Sequence, residues 1–237
     1  MVDNKTQVNN TIHSAPKTAI NRIIAEQNQS HSETVAILEN STVICDKYVI
    51  ERRLDVESGE ADLYVCSAIG QQYIAKIYKR KIAIKNEVVE KLLRIDSPYV
   101  SKLHEASTHN GFPVEITSYY KNGSLQGKTF SFDELIKMII PCINEGLKAL
   151  HSLGIIHKDL KPSNIMLADD GKSVSIIDFG ISSVKSEGDA VLITKTGMTP
   201  EYSAPETFRN IFLEESDYFS FGITLAYSGL SGQVFRK

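Results

Sequence analysis

The residues best suited to chemistry lie in two short stretches, HKDLKPSN at positions 157–164 and DFG at positions 178–180. The side chains of Asn164 and Asp178 offer hard oxygen atoms, the ligand type that Mg²⁺ requires. Two unrelated polar turns would contain similar residue types, and Asp-Phe-Gly alone is too common to be informative. Eight specified positions followed by this tripeptide nevertheless indicate one site rather than two turns.

Both stretches resemble motifs of eukaryotic-type (Hanks-type) serine/threonine protein kinases, namely the catalytic loop H-R-D-L-K-P-x-N and the metal-binding segment D-F-G. The resemblance implies that Asp159 accepts or orients the proton of an attacking hydroxyl group, and that Lys161 places positive charge beside the transferring phosphate. It also implies that Asn164 and Asp178 hold Mg²⁺ and that ATP donates the phosphate. Phosphoryl transfer depends mainly on positioning and electrostatic stabilisation, which agrees with these residue types.

The stretch Tyr73-Ile74-Ala75-Lys76 resembles the family's V-A-I-K strand, whose lysine holds the α- and β-phosphates. Because side chains alternate along a strand, Ile74 and Lys76 share a face, so that Ile74 covers the adenine while Lys76 reaches the phosphates. An exposed lysine at the end of a strand is the plain alternative.

In the family a helix glutamate pairs with this lysine. Residues 85–95 have apolar side chains at helical spacing, and Glu87 and Glu90 both lie within them. The distance to residues 96–100, which resemble the family's H-P-N-I-V segment, favours Glu87. Either glutamate could instead be a solvated charge on the helix surface.

The turn between the first two predicted strands departs from the family's loop G-x-G-x-x-G-x-V. Aligning Leu63 with the valine leaves other residues at the three glycine positions: Val56, Ser58 and Ala61. Only Gly59 lies nearby, and backbone amides approach phosphate less closely without glycine, so we expect the loop either to lie higher over ATP or to move on binding. Three acidic residues of the turn are expected to repel the triphosphate: Glu57, Glu60 and Asp62.

Residues 113–125 resemble the fifth strand and the hinge between the two lobes of the family. The resemblance makes Thr117 the gatekeeper and implies that the backbone of Ser118 and of Tyr120 hydrogen-bonds the adenine edge. Met166 would lie beneath the adenine ring.

The segment from Gly180 to Glu206 resembles the activation loop, and its end, close to the family's G-T-P-E-Y-x-A-P-E, is typical of protein kinases rather than small-molecule kinases. Thr199 together with Lys161 is the pattern of serine/threonine specificity. A phosphate on one of two threonines of this segment could pair with the lysine before the catalytic aspartate: Thr194 or Thr196 with Lys158.

Local signals mark the helices of the predicted large lobe. Ser131 and Glu134 form a capping box, and Pro141 should distort the helix that this box begins. Gly154 is expected to end that helix. Asp217, by resemblance, braces the backbone of the catalytic loop.

The chain has 237 residues, a net charge of −3, 42% hydrophobic residues and three cysteines without C-x-x-C spacing. These values predict a soluble cytoplasmic protein with reduced thiols, and they favour neither nucleic acid nor membrane as a partner. No apolar run approaches the ~20 residues of a membrane span.

The predicted fold is α+β and bilobal, with a small antiparallel sheet lobe that carries one helix and a mainly helical large lobe. We expect a polar tail at 1–45 and a kinase domain at 46–237, divided into the N-terminal lobe and hinge (46–120) and a C-terminal lobe (121–237) that looks truncated. A partner or self-association could then cover the missing helices.

Three functions are compatible with this sequence. The first is a protein serine/threonine kinase that uses ATP and Mg²⁺, phosphorylates a protein substrate and autophosphorylates. The second is a pseudokinase or kinase fragment that acts by binding nucleotide or a partner, suggested by the altered glycine loop and the short large lobe. The third, a small-molecule phosphotransferase, is disfavoured by the Ala-Pro-Glu segment at 204–206.

Overall fold

The computed structural model describes residues 37–56, 59–80, 86–180, 183–184 and 198–229. Within them, an antiparallel sheet with one helix is followed by a mainly helical part, which confirms the expected α+β, two-lobe architecture. None of the helices in these ranges is long and apolar enough to cross a membrane.

Six antiparallel strands form the sheet of the N-terminal lobe, in the spatial order β1-β2-β3-β4-β6-β5. Their bounds are β1 Val43–Ile44, β2 Tyr48–Arg53, β3 Ala61–Ala68, β4 Gln71–Tyr78, β5 Leu103–His109 and β6 Phe112–Ser118. Alternation along the strands buries one face in a core that includes Tyr64, Ile77 and Ile116. The opposite face, which carries Ile74 and Lys76, is therefore free to face the C-terminal lobe.

The sheet begins earlier than the expected tail boundary at residue 45. Strand β1 pairs with β2, and Ile44 is almost fully buried. The backbone amide of Leu38 also donates a hydrogen bond to the Tyr64 hydroxyl group. The folded part of the chain therefore starts before residue 46, because these apolar side chains complete the outer core.

Helix α1, Asn86–Arg94, connects β4 to β5. Its apolar side chains Val88, Val89 and Leu92 are buried in one core with residues of β5 and of the C-terminal lobe. The opposite face of the helix is consequently left to solvent, as expected for an amphipathic surface helix.

The long helical segment of the C-terminal lobe is interrupted. It begins with α2, Phe132–Glu134, passes through a π-helical turn at Leu135–Ile139 and continues as α3, Ile140–Ser152. The predicted capping box is present. The π turn ends two residues before Pro141. Proline lacks an amide hydrogen and its ring displaces the preceding turn, which explains the interruption at this point. Gly154, with φ of +68°, follows the helix as expected.

Short elements after α3 carry the site. Two small antiparallel sheets pair β7, Ile155–Ile156, with β10, Ser183–Val184, and β8, Ile165–Leu167, with β9, Val174–Ile176. A 3₁₀ turn, Pro162–Asn164, lies between β7 and β8. Two further 3₁₀ segments and a helix follow β10: Pro200–Tyr202, Pro205–Arg209 and α4, Glu214–Gly229. The loop between β7 and β8 contains Asp159.

Candidate active site

The carboxylate of Asp159 is the centre of a dense hydrogen-bond cluster. Its Oδ1 accepts from the backbone amide and the hydroxyl group of Thr199, at 3.0 Å and 2.7 Å. Its Oδ2 lies 2.7 Å from Lys161 Nζ and 3.2 Å from Asn164 Nδ2. The predicted catalytic residues of the loop thus meet Thr199, which lies about forty positions away in the chain.

Thr199 bridges the two charged groups of this cluster. Its hydroxyl oxygen accepts a hydrogen bond from Lys161 Nζ at 2.7 Å while its proton is donated to Asp159 Oδ1. A hydroxyl group in this position is at once polarised by a cation and hydrogen-bonded to a carboxylate. The same two contacts are those that an attacking hydroxyl group needs.

Asp217 of α4 holds the catalytic loop from behind, as expected. Its buried carboxylate accepts from the backbone amides of His157 and Lys158 and from His151 Nε2, each at 2.9 Å. Three donors on one buried carboxylate offset the cost of its desolvation. The loop that presents Asp159 is therefore fixed to a helix rather than left to its own turns.

His157 links the two motifs of the site. Its Nδ1 accepts from the amide of Asp159 at 3.2 Å, and its Nε2 lies 2.9 Å from the carbonyl oxygen of Ile177. These partners require the tautomer with hydrogen on Nε2. The ring of Phe179 packs edge-on against the imidazole, with 5.5 Å between ring centroids. The imidazole thereby couples the catalytic loop to the residues beside Asp178.

Two residues of the site adopt left-handed backbone conformations. Lys158 has φ of +74° and Asp178 has φ of +66°. Such values are uncommon outside glycine and are retained where surrounding contacts impose them, often at functional sites. For Lys158 the contact is the hydrogen bond of its amide to Asp217.

Lys76 of β4 reaches across to the C-terminal lobe, where its Nζ lies 2.5 Å from Asp178 Oδ1. Burial alone would lower the pKa of Lys76 and raise the pKa of Asp178. Burial is outweighed at Lys76 by Asp178 together with Glu115 and Glu60, so the net pKa of Lys76 is raised. At Asp178 it is outweighed mainly by Lys76, so the net pKa of Asp178 is lowered. The pair is ionised and joins the two motifs that resemblance assigned to phosphate and metal.

Glu87 does not pair with Lys76, and this expectation was wrong for this structure. Its side chain is 70% exposed and lies 3.5 Å from Lys91, one turn further along α1. The rotation of α1 explains the result, because the buried stripe of Val88, Val89 and Leu92 turns Glu87 towards solvent. Among the described residues, Glu90 forms no ion pair with Lys76 either.

The acidic residue of the sheet near Lys76 is Glu115, which the sequence analysis did not single out. It lies directly opposite Lys76 in the pairing of β4 with β6, and it accepts a hydrogen bond from the Tyr78 hydroxyl group at 3.1 Å. Burial, opposed by Lys76, raises its pKa. The alternation of β6 was an available signal, since it places Glu115 on the face of Thr117, opposite Val114 and Ile116.

The residues expected around adenine lie on one face of the sheet or beside it. Cross-strand pairs align Val65, Ile74 and Thr117 in one row, next to the row that contains Leu63 and Lys76. Within these two rows Val65 is fully buried, and the other side chains are partly buried, as for the wall of a cleft.

In the hinge, one of the two backbone segments expected to bind adenine already uses its amide within the protein. The amide of Ser118 donates to the carbonyl oxygen of Lys102, so Ser118 could present only its carbonyl oxygen to an adenine edge. Tyr120 donates its hydroxyl hydrogen to Ser175. Met166 pairs with Ser124 just beyond the hinge, which brings β8 alongside it.

The acidic turn differs from the expectation at Asp62. Its carboxylate lies 2.6 Å from Arg53 and 3.5 Å from Lys79, on the face of β3 opposite to Leu63. The charge of Asp62 is therefore paired with two cations, and its side chain points away from the face of the sheet that carries Lys76. Gly59 lies in an exposed bend with no atom near the position of a side chain. Residues 57–58 lie outside the described ranges.

Much of the predicted activation loop, including Thr194 and Thr196, also lies outside the described residues. Lys158, their proposed partner, is 6% exposed, and its Nζ lies 4.6 Å from the ring centroid of Phe212. At the end of this segment, Glu206 Oε1 accepts a hydrogen bond from Ser216 at 2.5 Å. The Ala-Pro-Glu turn is thus attached to the start of α4.

Comparison with known proteins agrees with this geometry. The profile of the protein kinase domain matches residues 56–237. The chain is 33% identical over 179 residues to human ribosomal protein S6 kinase alpha-2. The aligned region covers 71% of this chain and 24% of the relative. It is 28% identical over 217 residues to the probable serine/threonine-protein kinase pknA2 of Bifidobacterium longum. Here the aligned region covers 83% of this chain and 28% of that relative.

The chain thus spans about a quarter of the length of these curated relatives. The profile match covers well over half of the chain and includes every motif of the cluster around Asp159. The sequence therefore belongs to the protein kinase family.

Proposed function

We propose that this chain transfers the γ-phosphate of ATP to serine or threonine hydroxyl groups of proteins. The observation that carries the proposal is the hydroxyl group of Thr199, held between Asp159 Oδ1 and Lys161 Nζ at 2.7 Å from each. The cluster supports a chemistry in which a carboxylate orients a hydroxyl group and a cation faces the incoming charge.

In this mechanism Asp159 orients the attacking hydroxyl group and takes up its proton. All four acceptor positions of the carboxylate are engaged by Thr199, Lys161 and Asn164, so a substrate hydroxyl group must share or replace one of these contacts. The bond from the Thr199 hydroxyl group is the one that a substrate hydroxyl group can replace in kind. Lys161 would then stabilise charge on the transferring phosphate.

The residues present fit a nucleotide with a divalent cation. Asn164 directs its amide nitrogen to the backbone and carboxylate of Asp159, which leaves its carbonyl oxygen as the ligand atom. Within the described residues, no group of three or more His, Cys, Asp or Glu side chains could hold a metal alone. Asn164 and Asp178 would therefore hold Mg²⁺ together with phosphate oxygens, the usual arrangement for this ion.

When bound, Mg²⁺ neutralises charge on the phosphates. Lys76 would bind the α- and β-phosphates, and the hinge carbonyl of Ser118 and the amide of Tyr120 would hold the adenine edge. Leu63, Ile74 and Met166 would enclose the ring. Gly59 would lie in the loop above the phosphates.

A nucleotide-binding module without transfer activity is the competing function. The altered loop around Gly59 supports it, while the intact cluster of Asp159, Lys161, Asn164 and Asp178 supports catalysis. The loop affects how closely backbone amides reach phosphate, whereas the cluster concerns the transfer itself. The catalytic proposal is therefore preferred.

The test is incubation of the purified 237-residue chain with Mg²⁺ and γ-labelled ATP, beside Asp159→Asn. We expect label on serine or threonine in the parent, including its own activation segment, and a loss of roughly 10²- to 10⁴-fold in the variant. Phosphosite mapping by mass spectrometry identifies the acceptors. Folded parent that binds ATP but transfers no label would favour the binding module, and label on tyrosine alone would refute the proposed specificity.

A further inference from the structure

We propose that Glu115 of strand β6 is the positioning residue for Lys76, so that the sheet itself supplies the carboxylate that the family takes from a helix. This inference rests on the proposed function, since it concerns how Lys76 is held for a nucleotide. It assigns a role to a residue that the family's motifs do not contain.

The first observation is the pairing of the strands. Lys76 and Glu115 are direct cross-strand partners in the antiparallel pair of β4 and β6. Directly opposite residues project from the same face of a sheet with their Cβ atoms about 5 Å apart. Opposite charges in this relation attract each other, and both side chains are partly shielded from solvent. The register of the sheet thus brings Glu115 close to Lys76 without any contribution from helix α1.

The second observation is the way in which Glu115 is held. The buried Tyr78 lies two residues after Lys76 and therefore on the same face of β4. Its hydroxyl group donates to Glu115 Oε1 at 3.1 Å, and its ring centroid lies 5.1 Å from Lys76 Nζ. The hydrogen bond fixes the Glu115 carboxylate on the face of the sheet that carries Lys76.

The third observation is that helix α1 offers no substitute in this structure. Glu87 is exposed and paired with Lys91. Besides Glu115, the titratable groups that act on Lys76 are Asp178 and Glu60, and Tyr78 lies against its ammonium group. Asp178 is the direct partner here, at 2.5 Å, while Glu115 acts from a greater distance.

The carboxylates of Asp178 and Glu115 have different proposed roles at Lys76. Asp178 is a proposed metal ligand, so its charge is shared with the cation once a nucleotide is bound. Glu115 lies in the sheet and remains opposite Lys76 in either state. A second fixed carboxylate would keep the Lys76 side chain directed along the same face of the sheet when Asp178 binds the metal.

The first arm of the test measures Lys76 directly and needs no catalysis. Acetic anhydride acylates only the deprotonated amine, forming an N–C bond with loss of acetate, and peptide mass spectrometry gives its rate at each pH. The comparison uses the full chain with Asp178→Asn and with Asp178→Asn/Glu115→Gln, with exposed Lys148 as the internal reference. We expect Glu115→Gln to shift the pH midpoint of Lys76 acylation downwards, with about tenfold faster reaction for each unit by which the pKa falls.

The second arm measures transfer. Glu115→Gln should lower kcat/KM for ATP roughly 10- to 100-fold, with Glu115→Asp partly restoring it, whereas Glu87→Gln tests the helix alternative. Melting curves verify folding, and if Glu115→Gln does not fold, Tyr78→Phe replaces it, with a smaller shift expected in the same direction. A large effect of Glu87→Gln with no effect at Glu115 would overturn the proposal, as would an unchanged Lys76 midpoint. A parent without transfer activity refutes the proposed function, while the acylation arm still decides the role of Glu115.

Discussion

The hydroxyl group of Thr199 contacts both groups on which transfer is proposed to depend, Asp159 and Lys161. Its backbone amide also donates to Asp159, so the threonine contributes orientation through two separate atoms. Removing only the hydroxyl group should therefore loosen the carboxylate without releasing the segment that carries Thr199. This separation makes the residue a sharp probe of the catalytic arrangement.

We expect Thr199→Val to reduce kcat roughly 10²-fold, because both side-chain hydrogen bonds are lost while the shape is kept. Thr199→Ser retains the hydroxyl group and should keep most of the activity. Steady-state transfer from labelled ATP to a generic serine-containing peptide pool measures both variants. Equal kcat in the valine variant and the parent would contradict the proposed role of this hydroxyl group.

The ion pair of Lys76 and Asp178 predicts a response to acid. Burial alone would raise the pKa of Asp178, but Lys76 lowers it below its ordinary value. A carboxyl group with a lowered folded pKa stabilises the fold above its unfolded value, near 4, and this contribution is lost as the pH falls through the folded pKa. In Lys76→Met the lysine no longer lowers the pKa of Asp178, so burial raises this pKa above its ordinary value. The carboxyl group then favours the folded state at low pH rather than at high pH.

We therefore expect the parent to lose more stability than Lys76→Met as the pH falls from about 5 to 2. Urea unfolding at a series of pH values gives the free energy of unfolding of each protein. Lys148→Met, which removes an exposed surface lysine, serves as the control and should follow the parent. Parallel curves for the parent and Lys76→Met would show that this pair does not alter the titration of Asp178.

At the scale of elements, replacing two helix glycines by alanine is expected to change the stability of the protein in opposite directions. A Cβ at Gly146 of α3 would lie 2.8 Å from the carbonyl oxygen of Tyr99, which is itself held by the amide of Ile176. A Cβ at Gly222 of α4 would meet no atom within 4 Å. Helix propensity favours alanine at both positions, so packing alone decides the sign at Gly146.

We expect Gly146→Ala to destabilise the protein by about 1–3 kcal/mol through overpacking. Gly222→Ala should be neutral or stabilising by up to about 1 kcal/mol, because an exposed helix position gains only backbone entropy. Chemical denaturation of both variants measures the two free energies. A stabilised Gly146→Ala would mean that α3 can move away from the Tyr99 carbonyl group at little cost.

The elements also explain which parts of the site could be predicted from sequence. The capping box of Ser131 and Glu134 depends on local spacing, and so does the approach of Asn164 to Asp159 within one loop. The partner of Lys76 depends instead on how α1 is rotated and on the register of β4 with β6. The apolar stripe of α1 turns Glu87 towards solvent, whereas distance along the chain alone favours Glu87 as the partner of Lys76.

The fold class was predictable because the motifs that resemble those of protein kinases follow one another along the chain in the family's order. The start of the sheet was not, since a polar composition before residue 46 concealed the short β1. This strand is defined by its pairing with β2 and by the burial of Ile44 in one core with Tyr64 and Ile50, which are visible only in three dimensions. Composition over a window averages out such an isolated contact.

At the scale of the whole molecule, the two lobes are joined by a common core and by a charged contact. Side chains of α1 and β5 share one cluster with α3 and the small sheets, while the outer face of the large sheet has a separate core. Lys76 and Asp178 add an ion pair across the cleft beside the shared core. A ligand that contacts both charges therefore acts on the junction of the lobes.

This arrangement predicts that ATP with Mg²⁺ stabilises the entire protein. A ligand that binds only the folded state adds RT ln(1 + [L]/Kd), or about 2.7 kcal/mol when its concentration is a hundred times Kd. Because Asp178 is the proposed metal ligand and Lys76 the proposed phosphate ligand, the rise in Tm should require Mg²⁺ for its full size. Asp178→Asn should reduce the Mg²⁺-dependent part of the rise in Tm, and Lys76→Met should reduce the rise with or without the metal.

Thermal denaturation of the parent and of these two variants, with ATP alone and with ATP and Mg²⁺, separates these contributions. An equal rise in the parent and in Asp178→Asn would place the metal elsewhere, and an unaltered rise in Lys76→Met would remove this lysine from the nucleotide site.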